Sequence, residues 1–97
     1  MVTHIVLFKL KDRNPLSIEK ARDVLLDLRG KIAVLRHLEV GADVLHSERS
    51  YDIALTAKFD SLEDLQAYQE HPVHVEVANY MRQVRESAIA VDYESNT

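Results

Sequence analysis

Tyr68-Gln69-Glu70-His71-Pro72-Val73-His74 is the stretch on which the fold turns. Proline has no N–H to donate and pushes the residue before it out of the α region, so a helix arriving here ends at His71. The same ring is favoured at the first position of a new helix, which then carries Val73 and His74. On one unbroken helix Tyr68 and His74 would be rotated by about 240° and would face apart. A corner between two helices returns the phenol and the imidazole toward one pocket.

Working outward, Ser61 is placed to cap the first of these helices, with Asp64 three residues on to return the bond. The second helix repeats Val73, Val77, Tyr80 and Val84 on one face, and Ala88 to Tyr93 reads as the last strand before a polar tail. Upstream, Tyr51 to Phe59 reads as a strand with Tyr51, Ile53, Leu55, Ala57 and Phe59 on one side. Before it, Leu38, Val40, Ala42 and Val44 alternate with Glu39, Gly41 and Asp43 as a half-buried strand. The chain opens with a strand over His4 to Lys11, rich in β-branched and large apolar side chains. Pro15 then begins a helix whose stripe, Ile18, Ala21, Leu25, Leu28 and Ile32, predicts about four turns, with Gly30 near its end. The order β-α-β-β-α-α-β reduces to β-α-β-β-α-β when the broken helix counts once. That order predicts a ferredoxin-like α+β domain: a four-stranded antiparallel sheet with helices on one face.

Helices on one face leave the other to be accounted for. In the first strand His4, Val6, Phe8 and Leu10 share a side, yet Ile5 and Leu7 on the opposite side are also apolar. In the third strand that second side holds Ala54 and Thr56, flanked by Asp52 and Lys58. A sheet wetted on one side normally alternates cleanly between apolar and polar. An exposed apolar patch of this extent is rare on a soluble monomer. Ile5, Leu7, Ala54 and Thr56 are therefore expected in a homodimer interface, with two sheets stacked face to face about a twofold axis.

Composition narrows the function. With 97 residues, residues 1–97 are expected to form a single domain. There is no cysteine, which removes disulfides, thiolate metal sites and a cysteine nucleophile, and suits a reducing cytoplasm. Twelve basic and 16 acidic residues give a net charge of −4 without a basic stripe, so nucleic acid is not expected as a partner. No apolar run approaches the roughly 20 residues that cross a bilayer, so no membrane is expected either. With Gly30 and Gly41 the only glycines, there is no glycine-rich phosphate loop.

Three segments together resemble the stress-responsive dimeric α/β-barrel family, often called Dabb. They are His4 to Lys11, Tyr51 to Leu55 with Phe59-Asp60-Ser61, and the tyrosine-led His71-Pro72-Val73-His74 element. The resemblance implies a ferredoxin-like subunit whose sheet pairs with that of a second copy to close a barrel. It extends to members of the olivetolic acid cyclase type, which close a polyketide chain by aldol condensation without a cofactor. Their catalytic tyrosine and histidine fall on Tyr68 and His74, and a further pocket histidine falls on His4. Another of their pocket histidines falls on Ile53, which departs from that pattern. Fold analogy alone also admits a monooxygenase.

The chemistry these residues suit is proton abstraction next to a carbonyl. His74 would act as base, since imidazole exchanges protons near neutral pH. Tyr68 would donate to the developing enolate oxygen, and His4 would add a donor or orient the others. Phe8, Ile53 and Leu55 are expected to line the pocket for a small organic ligand. The reaction itself stays unassigned, and a packing role in which Tyr68 and His74 satisfy each other or nearby backbone stands beside it. His71 is expected to bond the end of the helix before it as a cation. His71 and His74 lack a clear third ligand, so neither a metal nor another cofactor is expected.

Overall fold

The computed structural model describes residues 1–96. Strand β1, Val2–Leu10, lies inside the sheet, where its β-branched run is paired on both edges. Helix α1, Pro15–Leu26, follows, and Asn14 caps it by accepting the Ser17 N–H at 2.9 Å. Next come β2, His37–Ala42, and β3, Ile53–Phe59. Helices α2, Leu62–Glu70, and α3, Pro72–Val84, precede β4, Arg85–Glu94. The strand order is β2-β3-β1-β4 with every neighbour antiparallel, which is the ferredoxin-like arrangement.

Strand period decides what each face presents. His4 stands opposite Ala57 on one side and Asp92 on the other, while Ile5 stands between Thr56 and Val91. Val2, His4, Phe8 and Leu10 are buried beneath the helices, together with Ile53, Leu55, Ala57 and Phe59 of β3. The helices close this core with Ile18, Ala21, Leu25, Leu65, Val77 and Met81. Each Val, Leu, Ile, Phe or Met side chain among these contributes roughly 1.5–3 kcal/mol through its removal from water. The uncovered face carries Ile5, Leu7, Ala54 and Thr56, and β4 adds Ile89, Val91 and Tyr93, which are 51%, 53% and 46% exposed.

Several boundaries differ from the sequence reading. Helix α1 stops at Leu26, four residues before Gly30, because its last bonds tighten to Leu28 N–H to Leu25 C=O and Arg29 N–H to Leu26 C=O. Leu28 and Ile32 remain buried, so the apolar stripe continues through turns after the helix has ended. Strand β2 stops at Ala42, leaving Val44 exposed. There Asp43 accepts the His46 N–H at 2.6 Å, a local side-chain bond that replaces the ladder. Strand β3 begins at Ile53, after Tyr51 and Asp52. Asp52 is buried instead of flanking the open face, and accepts the Leu10 N–H at 2.8 Å and the Arg13 Nε–H at 2.9 Å. Ser61 caps α2 by accepting the Asp64 N–H at 3.1 Å, and this is the half of the capping box that forms. Tyr93 lies half exposed on the open face.

Candidate functional site

The helix break forms at His71, which ends α2 and caps α3. Its backbone is extended, as a residue before proline prefers, and its Nδ1 accepts the Val73 N–H at 3.1 Å. Accepting needs a lone pair, so Nδ1 serves the start of α3 as an acceptor. His71 does bond the end of α2, but through its backbone N–H, which donates to the Tyr68 carbonyl at 3.2 Å, and not through its ring.

The break turns Tyr68 and His74 toward each other. Their ring centroids are 4.5 Å apart and the planes are inclined by 56°. Phe59 supports Tyr68 from the sheet at 4.8 Å, and His4 meets it edge-on at 6.2 Å. A phenol, two imidazoles and a phenyl ring from four separate elements thus form one cluster.

Hydrogen bonds fix the protons. His74 Nδ1 lies 3.1 Å from the Gln69 carbonyl oxygen, which only accepts, so Nδ1 carries the hydrogen and Nε2 the lone pair. Burial lowers the His74 pKa from its ordinary value, and the Gln69 bond offsets part of that. The ring is therefore neutral at neutral pH, with Nε2 able to take a proton. Tyr68 is 1% exposed, and burial pushes its hydroxyl well above the usual phenol range. It stays protonated and serves as a donor. No described residue hydrogen-bonds that hydroxyl, and no sealed side-chain polar atom is left unsatisfied, so it opens onto the adjoining cavity. Tyr68 and His74 do not satisfy each other by a hydrogen bond.

His4 is held by Asp92, its cross-strand neighbour, whose carboxylate bonds Nδ1. Asp92 was not singled out in the sequence. Its signal was a carboxylate on the helix-side register of β4, two residues from Glu94, visible only once β4 is paired with β1.

The cavity holds about 240 Å³ between α3 and the sheet. That is just below the roughly 300–1,000 Å³ typical of drug-sized ligand sites. His4, Val6 and Phe8 of β1 and Leu55 of β3 form its floor, and Leu25 and Leu28 form one wall. Tyr68 and Gln69 of α2 and His74, Val77, Ala78, Met81 and Arg82 of α3 form the other, with Arg85 at the start of β4. Phe8 and Leu55 thus lie on the wall, but Ile53 does not. It packs in the core opposite Phe8 and Ala42, at the start of β3 and two residues from Leu55. His37 and His46 are exposed and remote from the cavity. Among the described residues no three His, Cys, Asp or Glu side chains converge as metal ligands.

An antiparallel four-stranded sheet roofed by helices, with a small pocket beneath a helical corner, defines a ferredoxin-like α+β protein. Residues 2–95 match the stress responsive A/B barrel domain, and the chain belongs to that family. An uncharacterised protein of Streptomyces coelicolor is 32% identical over 97% of this chain and 99% of its own length. A dimeric protein of unknown function and ferredoxin-like fold from Bacteroides fragilis superposes with a TM-score of 0.83. It is 37% identical, covering 97% of this chain and 95% of that one. A dimeric ferredoxin-like protein of unknown function from Thermobifida fusca gives 0.85 at 28% identity, covering 97% and 90%.

Proposed function

We propose that this protein binds a small organic molecule in the cavity beneath α3, with an oxygen of the ligand held at Tyr68. One observation carries the reading: the Tyr68 hydroxyl is a protonated donor on a cavity wall with no acceptor among the described residues. A donor in an apolar pocket costs about 1–3 kcal/mol if unpaired, and a ligand oxygen removes that cost. The test is a screen of small carbonyl compounds by NMR against wild type, Tyr68→Phe and His74→Ala. Binding to wild type that weakens in Tyr68→Phe supports the reading; binding indifferent to both substitutions sinks it.

The orientation of His74 supports a second reading, proton abstraction beside the ligand carbonyl. Its Nε2 lone pair and the Tyr68 donor face the same cluster, so one could take the proton while the other stabilises the enolate oxygen. His4, locked by Asp92, would orient the same oxygen. Exchange of the α-hydrogen of a bound ketone into D₂O, lost in His74→Ala, is the expected outcome.

We also propose that two copies associate through the uncovered sheet faces. The row Ile5, Leu7, Ile89, Val91 and Tyr93 supports this, as do the dimeric descriptions of the solved relatives. No helix among the described residues is long and apolar enough to cross a membrane. The lack of cysteine fits a cytoplasmic setting.

A further inference from the structure

The cavity is charged in a way the chain as a whole is not. The protein carries a net −4, yet the cavity wall has two arginines, Arg82 and Arg85, and no aspartate or glutamate. Arg82 donates to the neutral Asn79 Oδ1 at 2.7 Å, and neither arginine is among the ion pairs of the described residues. The Arg85 backbone N–H donates to the Met81 carbonyl, but its guanidinium has no hydrogen-bond partner among them either.

A β-bulge places one of these charges. From Val2 to Lys9 the pairing with β4 is regular, and Lys9 stands opposite Ser87. Continued pairing would put Glu86 opposite Leu10, on the helix side. Instead the register shifts between Lys9 and Leu10, and Leu10 meets Arg85. The extra residue removes a carboxylate from the cavity side and substitutes a guanidinium. Bulges re-aim side chains in this way beside binding sites. The negative end of α3 is reason enough for Arg82 in its last turn, but it does not account for the shift that brings in Arg85.

We infer that the Arg82–Arg85 end of the cavity takes the carboxylate of an organic acid whose apolar body lies along Val6, Phe8 and Met81. Arginine pairs with carboxylates through two parallel hydrogen bonds, and apolar walls strengthen that pairing. His74 and Arg82 are separated by about 12 Å along α3, so the ligand's acid end and its Tyr68-bound oxygen are different groups. The inference rests on the proposed small-molecule pocket and adds the class of ligand.

Octanoate and 1-octanol share a chain and differ in charge, so titrating each into ¹⁵N-labelled protein separates the two ideas. Wild type should bind octanoate about tenfold more tightly than octanol, with a preference that falls as salt is raised. In Arg82→Gln/Arg85→Gln the two affinities should come within about twofold, while the double lysine variant keeps part of the preference. Both substitutions lie at the cavity rim, and an unchanged amide spectrum outside the cavity shows that the fold is intact. Equal affinities in wild type, or a preference surviving in the double glutamine variant, would overturn the acid assignment alone. If neither compound binds, the pocket reading falls with it.

Discussion

The Tyr68 and His74 rings lie 4.5 Å apart across a helix break, although the two residues belong to different helices. His71, at the corner, brings them together by ending one helix and capping the next through its own imidazole. The approach of these two rings therefore depends on the corner between two helices, and this dependence can be measured.

His71→Ala should lower stability by about 1 kcal/mol, because the Val73 N–H loses its acceptor. For a domain of this size that is a fall in Tm of about 4–8 °C. His71→Asn supplies another acceptor at the same position and should recover most of it. Equal losses in both variants would show that the ring acts by packing.

Asp52→Ala should be among the most damaging substitutions away from the cavity. It strands the Leu10 N–H and the Arg13 guanidinium at the junction of β1 and β3. Leaving a buried donor unmet costs about 1–3 kcal/mol, visible as a lower urea midpoint. Arg13→Ala should cost less, since that side chain is partly exposed.

His74 gives stability a pH dependence of known sign. Its folded pKa lies below the ordinary 6.5, so between the two values the unfolded chain binds more protons than the folded one. The contribution is whole above 6.5 and is lost as pH falls through the lower folded value. Tm measured from pH 7.5 downward should drop less in His74→Phe than in wild type. Parallel curves would show that the ring titrates alike in both states.

Val91→Glu should weaken self-association by about a hundredfold, because the twofold axis doubles every carboxylate placed on the apolar face. Sedimentation equilibrium should show a shift toward single chains while circular dichroism stays unchanged. A wild type that is already a single chain at micromolar concentration would remove the proposed face-to-face pairing.

Local patterns made most of the fold legible. Alternation in β1 and β3 and the 3.6-residue stripes of α1 and α3 follow directly from side-chain period. Pro72 announced the corner that brings Tyr68 and His74 together. The missed features depend on strand register, which is a long-range property. Asp92 becomes a partner of His4 only when β4 lies beside β1, and Arg85 reaches the cavity only through a bulge invisible in a one-dimensional pattern. Val44 continued a β pattern, but the Asp43–His46 turn stopped the strand. Ile53 shares a face with Phe8 and Leu55, yet it lies two residues along β3 from Leu55, at the start of the strand, and packs in the core instead.

Because the phenol sits on α2 and the imidazole on α3, each helix could rotate slightly about the residue that joins them. A tilt of a few degrees would alter the gap between proton donor and proton acceptor while leaving the sheet undisturbed. Changes on the outer surface of either helix would thus reset the spacing of the two rings without replacing either group.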